Sequence, residues 1–246
     1  GLINLQFAVK DDKVYVLEVN PRSSRTVPFV SKYTNVPLAN IAAQISVGKS
    51  LDDFKLQKNN FEHFAVKKAV LPFKKFKDEK VFLGPEMKST GEVMGIDMST
   101  GSAFLKAMKS DGYNVPRKGT AFLSVNKTDR VGLIPIAKSL MDLGFSLVAT
   151  KGTCKFLNEH GIICNDMFKV GEGRPNVVDE ILNDNIQLVI NTPEGPQSRF
   201  DEEAIGETSV MKNILTITTL SGARAAIDSM KHLNEISVKA LQEYFK

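Results

Sequence analysis

Three oxygen-bearing side chains near the start of the chain could together hold a divalent cation. Glu18 and Asn20 lie two residues apart in YVLEVNPRSSR, so they share one face if this segment is a strand. The segment before them predicts a β-hairpin that turns at Asp11-Asp12, which places Gln6 nearly opposite Glu18. One carboxylate and two amide carbonyls suit a hard cation such as Mg²⁺ (or Mn²⁺), because such ions prefer oxygen ligands.

Two arginines follow these oxygen ligands, and they indicate what the cation would accompany. Arg22 and Arg25 are suited to gripping phosphate or carboxylate oxygens. A cation that bridges phosphates, with arginine beside it, is the equipment of phosphoryl transfer. The alternative is an exposed polar strand face with incidental arginines, and the spacing alone leaves both interpretations open.

A second group of polar residues follows three predicted strands in the later part of the chain. In LVATKGT, Thr150, Gly152 and Thr153 lead from a strand into a helix, where hydroxyls and free backbone N–H groups can bind an anion. Lys169 follows a later strand, and Asn191-Thr192 ends another. All should lie at the carboxyl edge of one sheet, where open α/β folds bind ligands. Ordinary capping of the helix by threonine is the alternative.

The elements that position these groups change character near residues 111–119, a polar segment with glycine and proline. Before it, we predict the hairpin, a helical stretch interrupted by Pro37, further strands and a helix that ends near Gly112. After it, apolar strands alternate with amphipathic helices, which predicts an α/β domain whose mainly parallel sheet is covered by helices on both faces. We therefore expect two domains, residues 1–112 and 117–246.

Composition restricts the partners that this chain can have. The net charge of +4 over 246 residues is mild, and the lysines alternate with apolar residues, so we expect no nucleic-acid partner. No apolar run approaches a membrane span, and the two cysteines, Cys154 and Cys164, are typical of reduced, buried thiols in a cytoplasmic protein. Because the chain enters a strand within three residues of Gly1, we expect it to be the C-terminal piece of something longer.

The stretch from Gln6 to Ala43, which contains the predicted cation ligands, resembles the end of the second ATP-grasp unit in the large subunit of carbamoyl phosphate synthetase. The likeness continues through GKSL, VLPF and LGPEMKSTGEVMG. The later part resembles the methylglyoxal-synthase-like domain that closes the same subunit, so the likeness covers essentially the whole chain.

The resemblance implies roles for the residues of the first part. Gln6, Glu18 and Asn20 would bind the magnesium ions on ATP, and Arg22 would face the phosphates. Arg25, Met87 and Glu92 would lie near the tunnel that delivers carbamate. Met87 as a core residue and Glu92 as a surface carboxylate remain alternatives. The glycine-rich phosphate loop and the adenine pocket of such a unit have no counterpart here, so this chain alone should not make carbamoyl phosphate.

For the second part, the resemblance implies a regulatory site for a nucleotide monophosphate, where uridine monophosphate inhibits and inosine monophosphate activates bacterial members. Its contacts would be Ser124, Thr150, Thr153, Lys169 and Asn191, with Asp201 a weaker match. The partners implied are the upstream remainder of the large subunit and a glutamine amidotransferase small subunit.

Several positions depart from the family pattern. Arg130 stands where lysine is usual, so the charge is kept while the geometry changes. Pro193 replaces a threonine whose hydroxyl would serve the phosphate. Lys68 stands where ornithine-responsive members carry glutamate, and its charge would repel the ammonium group of ornithine. Thr218, another position near that effector, does match.

Three functions compete on the sequence. The first is part of an ATP-dependent ligase that feeds pyrimidine and arginine synthesis. The second is a stand-alone module that senses nucleotides and docks onto a partner. The third, a lyase like methylglyoxal synthase, needs a carboxylate base near the phosphate site, for which NTPEGPQS offers only Glu194.

Overall fold

The structure, a computed structural model, describes residues 1–56, 60–71, 73, 87–192 and 196–245, with the backbone alone for residues 196–200. The first part contains strands β1 (Asn4–Lys10) and β2 (Lys13–Asn20), helices α1 (Thr26–Thr34) and α2 (Leu38–Ser46), strands β3 (Phe64–Val70) and β4 (Gly91–Asp97), and helix α3 (Thr100–Ser110). The second part contains β5 (Gly119–Val125), α4 (Arg130–Asp142), β6 (Phe145–Thr150), α5 (Lys151–Glu159), β7 (Asn165–Met167), α6 (Val177–Leu182), β8 (Leu188–Thr192), α7 (Pro196–Lys212), β9 (Leu215–Ile217), α8 (Leu220–Lys231) and a 3-10 helix (Leu241–Phe245).

The predicted hairpin is confirmed. β1 and β2 pair antiparallel, and both turn residues, Asp11 and Asp12, have positive φ values of 51° and 56°, as a type I′ turn requires. Apolar side chains on this two-stranded ribbon stay exposed, among them Phe7 (53%), Val9 (71%) and Leu17 (65%). A two-stranded ribbon with so much apolar surface in water is marginally stable by itself, so it needs a covering partner.

Helices α1 and α2 follow the hairpin and are separated at Pro37, as the sequence predicts. Next, β3 and β4 form a second antiparallel ribbon, on which α3 packs. The N-terminus of α3 is capped by the Ser99 side chain, which accepts a hydrogen bond from Ser102 N, and its C-terminal end leads to Gly112 with φ of +80°.

Gly95, in the middle of β4, lets the backbone of α3 approach the ribbon closely. A Cβ at this position would lie 1.9 Å from the carbonyl oxygen of Ala103 and 2.6 Å from the backbone nitrogen of Ala107. Both atoms belong to the helix backbone and cannot move independently of the helix. The sequence therefore needs glycine here for packing rather than for an unusual φ.

The second part is a parallel sheet with strand order β7-β6-β5-β8-β9, which confirms the predicted fold class. Alternate residues of the central strands enter two apolar clusters: Leu123 and Ile190 belong to the larger one, whereas Phe122 and Val189 belong to the smaller one. The larger cluster also takes buried residues from α4, α5 and α8, and the smaller takes residues from α6 and α7. Helices thus cover both faces of the sheet.

Three elements were not predicted from the sequence: α7 and two 3-10 helices, of which one spans Leu51–Asp53. Helix α7 has an ill-defined apolar face and begins with polar residues, so helical periodicity did not reveal it. The 3-10 helix at Leu241–Phe245 is too short to show any period. Within the described residues, no helix combines the length and apolar character needed to cross a membrane.

The two cysteines are free and buried within the larger apolar cluster, which confirms the sequence-based prediction. Cys154 Sγ lies 3.0 Å from the carbonyl oxygen of Cys164, and the Asn158 amide donates to both of these atoms. Burial raises the pKa of the Cys164 thiol to about 12, with further contributions from Cys154 and Asp166. Since the thiolate is the reactive form, Cys164 should be chemically inert in the folded chain.

Replacing Gly95 by alanine should destabilise the chain because the added methyl group must displace the α3 backbone. We expect the free energy of unfolding to fall by about 2 kcal/mol or more, measured by urea denaturation. Gly91→Ala is the matched control, since a Cβ at Gly91, also in β4, meets no atom within 4 Å. Equal stability of Gly95→Ala and Gly91→Ala would contradict the close approach.

The thiol prediction concerns reactivity. With dithionitrobenzoate at pH 8, the native chain should release almost no thionitrobenzoate, because both thiols are buried and the pKa of Cys164 is raised. The urea-unfolded chain should release two equivalents promptly. Rapid labelling of the native chain, at a rate unrelated to unfolding, would show that the thiols are accessible.

Candidate functional site

The hairpin brings the three predicted cation ligands together. Gln6 pairs with Glu18 across the ladder, and the amide Nδ2 of Asn20 donates to Glu18 Oε1, so the three polar side chains lie at one end of the ribbon. A register shift between Gln6 and Phe7 leaves Leu17 without a partner, a β-bulge that re-aims the side chains beside it. Glu18 and Gln6 are exposed, so their oxygens are accessible to a ligand.

This arrangement offers one carboxylate and amide oxygens, which is less than a self-sufficient cation site needs. Among the described residues, no three or more His, Cys, Asp or Glu side chains are grouped so that they could hold a metal ion. Mg²⁺ commonly takes one or two protein carboxylates and completes its shell with phosphate oxygens and water. The donor set therefore fits a cation that arrives with a phosphate ligand.

The two arginines differ in how they are held. Within the residues that the structure describes, the Arg22 guanidinium bonds to its own loop, where Nη1 donates to the carbonyl oxygen of Ser23 at 3.3 Å. Arg25, just before α1, reaches across to the segment before β4, with Nη2 3.2 Å from Met87 Sδ and 3.5 Å from the carbonyl oxygen of Ser89. Arg25 is thus anchored by residues more than 60 positions away.

The three residues assigned to the tunnel lie around the start of α1. Met87 is exposed and contacts Arg25, so it is not the core residue that the alternative interpretation suggested. Glu92 pairs with Lys67 Nζ at 3.3 Å, and the same ammonium donates to Thr26 Oγ1 at 2.9 Å. Lys67 therefore connects Glu92 to the residue after Arg25, a role that the sequence analysis missed because only the pairing of β3 with β4 reveals it.

In the second part, Thr150 and Thr153 meet at the start of α5. Thr150 is the N-cap residue of this helix, yet its hydroxyl makes no capping hydrogen bond and lies 3.3 Å from Thr153 Oγ1. Thr153 Oγ1 in turn lies 3.5 Å from the backbone of Val125 at the end of β5. Ordinary helix capping does not explain Thr150, so the anion-binding interpretation is the one that the geometry favours.

Arg130, the first residue of α4, covers the start of α5. A Cβ on Gly152 would lie 2.8 Å from Arg130 Nη2, so only glycine lets the guanidinium lie there. Arg130 Nε is buried and has no hydrogen-bond partner in the part of the chain that the structure describes. A buried donor without a partner is costly, and the Nη2 end of the same guanidinium lies at the N-terminus of α5, where a helix favours an anion.

The neighbouring strand ends supply further polar groups. Ser124 and Asn191 are partners in the ladder between β5 and β8, and on the other face Thr192 Oγ1 accepts from the backbone nitrogen of Asn126 at 3.3 Å. Asn191 and Thr192 are buried. Asn126, which the sequence analysis missed, connects Thr192 to Asp129, the residue before α4. Pro193 and Glu194 lie outside the described residues.

Lys169 and Asp201 complete this side of the sheet. Burial raises the pKa of the Asp201 carboxyl; the neighbouring charge of Lys169 lowers it, and that of Glu172 raises it. The three ionisable groups therefore influence one another, although Asp201 lies 32 residues after Lys169 and 29 after Glu172 in sequence. Glu172 also accepts a hydrogen bond from the backbone nitrogen of Lys169 at 3.2 Å. The sequence analysis did not identify Glu172.

Lys68, one of the departures from the family pattern, is already paired within the chain. Its ammonium group contacts the Asp111 carboxylate and lies 4.6 Å from the centre of the Tyr113 ring. The Asp111 carboxylate beside this position is therefore already paired and is not free to bind the ammonium group of ornithine.

Comparison with known proteins adds independent findings. The family described as "Carbamoyl-phosphate synthase L chain, ATP binding domain" matches residues 1–54, and the family described as "MGS-like domain" matches residues 132–218. The chain is 50% identical over 252 residues to the carbamoyl phosphate synthase large chain of Acidobacterium capsulatum and 48% identical over 248 residues to that of Archaeoglobus fulgidus. It is 47% identical over 269 residues to the protein named "Carbamoyl phosphate synthase large chain, C-terminal section" from Aquifex aeolicus.

These matches cover 98–100% of this chain but only part of each relative. The chain spans 23% of the A. capsulatum and A. fulgidus proteins and 50% of the A. aeolicus section. The chain therefore belongs to the carbamoyl phosphate synthase large chain family and corresponds to part of its C-terminal section.

Proposed function

We propose that this chain supplies the magnesium-binding end of an ATP-grasp unit and an effector domain to a carbamoyl phosphate synthase. Within that enzyme, the first part takes part in the ATP-dependent phosphorylation of carbamate to carbamoyl phosphate. The observation that carries the proposal is the hairpin cluster, in which Gln6, Glu18 and Asn20 converge beside Arg22. A cation held there would neutralise phosphate charge and orient the transfer.

Within this chain, each residue of the first part has a distinct task. Glu18 holds the cation by its charge, Gln6 and Asn20 add carbonyl oxygens, and Arg22 has little to restrain it from meeting phosphate oxygens. Arg25 is fixed instead by Met87 and Ser89, which suits a residue that lines the path of carbamate.

The exposed apolar surface of the hairpin supports the upstream part of the large chain as a partner. Phe7, Val9 and Leu17 would be costly to leave in water, and the relatives contain roughly two to four times the length of this chain. Strands from the upstream ATP-grasp segment would cover this ribbon and add the missing nucleotide contacts. This chain alone would then be catalytically incomplete.

The second part is proposed to bind the phosphate of a nucleotide monophosphate, such as uridine or inosine monophosphate. Thr150, Thr153 and the Arg130 guanidinium would hold the phosphate at the N-terminus of α5. Ser124, Lys169, Asn191, Thr192 and Asp201 would surround the remainder of the nucleotide. We place the domain boundary between residues 112 and 117, and propose a cytoplasmic enzyme that serves pyrimidine and arginine synthesis with a glutamine amidotransferase subunit.

A second candidate, a stand-alone nucleotide-sensing module, is favoured by one observation. The residues of the proposed effector site are present within this chain, whereas the hairpin site relies on ligands from elsewhere. Both candidates require nucleotide binding, and only the first requires Glu18 for catalysis.

The effector site can be tested on this chain directly. Calorimetric titration with uridine and inosine monophosphates should show saturable binding of at least one, and Thr150→Ala should weaken it about tenfold or more through loss of a charge-assisted hydrogen bond. Lys169→Ala should weaken it as well. Lys155→Ala, which removes an exposed lysine of α5, is the matched control and should bind like the unchanged chain.

If neither nucleotide binds, the effector assignment is wrong. If Thr150→Ala and Lys169→Ala both bind the nucleotide as tightly as the unchanged chain does, the nucleotide occupies another surface.

The catalytic assignment needs the remainder of the enzyme. We would replace the matching segment of the A. capsulatum large chain by this chain and measure ATP-dependent carbamoyl phosphate formation. Glu18→Gln keeps the shape of the side chain but removes its charge, so the rate should fall at least about a hundredfold, as expected when a cation that stabilises transition-state charge is lost.

Glu159→Gln, at the exposed end of α5, is the control and should leave the rate unchanged. Full activity of the Glu18→Gln enzyme would remove Glu18 from the metal ligands. If the hybrid that carries this chain without any substitution is inactive, the proposed function itself is contradicted.

A further inference from the structure

The C-terminal segment returns from the second half of the molecule to the first. Just after α8, the carbonyl oxygen of Leu233 accepts a hydrogen bond from Arg117 Nη2 at 3.4 Å. The other terminal nitrogen of Arg117 contacts the Asn234 side chain. Residues 235–245 then end in the 3-10 helix, whose aromatic residues lie against β4 and the segment before β3. We call residues 235–245 the strap.

Tyr244 attaches the strap to the β4–α3 unit. Its hydroxyl donates to the carbonyl oxygen of Ile96 at 3.0 Å and accepts from Lys106 Nζ at 3.2 Å. Lys106 is itself paired with Asp97 at 2.7 Å. One phenol therefore joins the end of the chain to a strand and a helix that lie nearly 140 residues or more before it.

The rings of the strap also reach helix α1 through His63. His63 is 3% exposed, and its ring centre lies 5.6 Å from that of Tyr244 and 5.2 Å from that of Phe245. On the other side, Tyr33 of α1 lies 5.1 Å away, ring centre to ring centre. The ring nitrogen Nε2 of His63 lies 3.1 Å from the backbone oxygen of Tyr33. The Tyr33 hydroxyl in turn donates to the backbone oxygen of His63 at 3.4 Å.

Helix α1 depends on these contacts because it has no fully buried side chain of its own. The side chain of its first residue, Thr26, accepts a hydrogen bond from the flexible ammonium of Lys67, while the Tyr33 ring near its last turn packs against the rings of Phe61 and His63. Arg25 immediately precedes this helix, so a shift of α1 moves the backbone of Arg25.

A cavity of about 1230 Å³ borders the same contacts. It is lined by α2 residues, by Phe61 and His63, and by Tyr244 and Phe245 of the strap. Among the described residues, the contacts that link the strap to α1 are the aromatic ones that run through His63.

We propose that residues 235–245 act as a strap through which the second half of the molecule holds α1, and with it Arg25, in position. The mechanical coupling follows from the contacts and is independent of any ligand. Its consequence for carbamate delivery rests on the proposed function of Arg25.

The test is hydrogen–deuterium exchange of the nucleotide-free chain, read by mass spectrometry on peptides from α1, β5 and β8. Tyr244→Ala removes the ring and the hydroxyl. The amides of Thr26–Thr34 should then exchange about tenfold faster, because the His63 contacts that resist local opening of α1 are weakened. Tyr244→Phe keeps the ring and should give a smaller increase. The sheet peptides should exchange as before in both variants.

Tyr15→Phe, on the exposed hairpin, is the control and should leave α1 unchanged. Exchange in α1 that is the same in Tyr244→Ala as in the unchanged chain would overturn the strap. Equal acceleration of α1 and the β5 and β8 peptides would overturn it too, since it would show general destabilisation. Tyr244→Phe differs by one oxygen atom and keeps the proposal testable if Tyr244→Ala fails to fold. Nucleotide titration of the same variants reports separately on the effector site.

Discussion

The close packing of α3 is the constraint on which the arrangement of the molecule depends. Its backbone lies directly on Gly95 of the β3–β4 ribbon, while Leu105 and Met108 on the same helix enter the larger apolar cluster of the parallel sheet. Because α3 also packs on α8, elements from both parts of the chain pack against this one helix. Two units joined through a buried helix move as one more readily than two units joined by a linker alone.

The two candidate sites differ in how much of their chemistry the chain provides. At the N-terminus of α5, the hydroxyls of Thr150 and Thr153 and the Nη2 end of the Arg130 guanidinium are present, a combination suited to an anion. At the hairpin, one carboxylate faces solvent beside apolar side chains that are exposed in the described structure. The proposed effector site would need only a small molecule, whereas the proposed cation site would need more protein.

The structure also shows how charge is distributed for these tasks. Lys68 is neutralised by Asp111 and Lys67 by Glu92, so the basic strand β3 presents paired rather than free ammonium groups. The guanidinium of Arg130 lies with Nη2 against Gly152, and its buried Nε has no hydrogen-bond partner within the described part of the chain. Buried donors without a partner are uncommon in folded proteins, and the effector proposed above would bring acceptor oxygens to this guanidinium.

The sequence by itself determined the features that depend on near neighbours. The Asp11-Asp12 turn, the shared face of Glu18 and Asn20, the break at Pro37 and the alternation of strands with helices all follow from local stereochemistry and periodicity. Only the tertiary structure decided the contacts of Arg25 with Met87, of Arg130 with Gly152 and of Tyr244 with Ile96. These residues lie 22 to 148 positions apart, and their meeting depends on how whole elements pack, which no local period encodes.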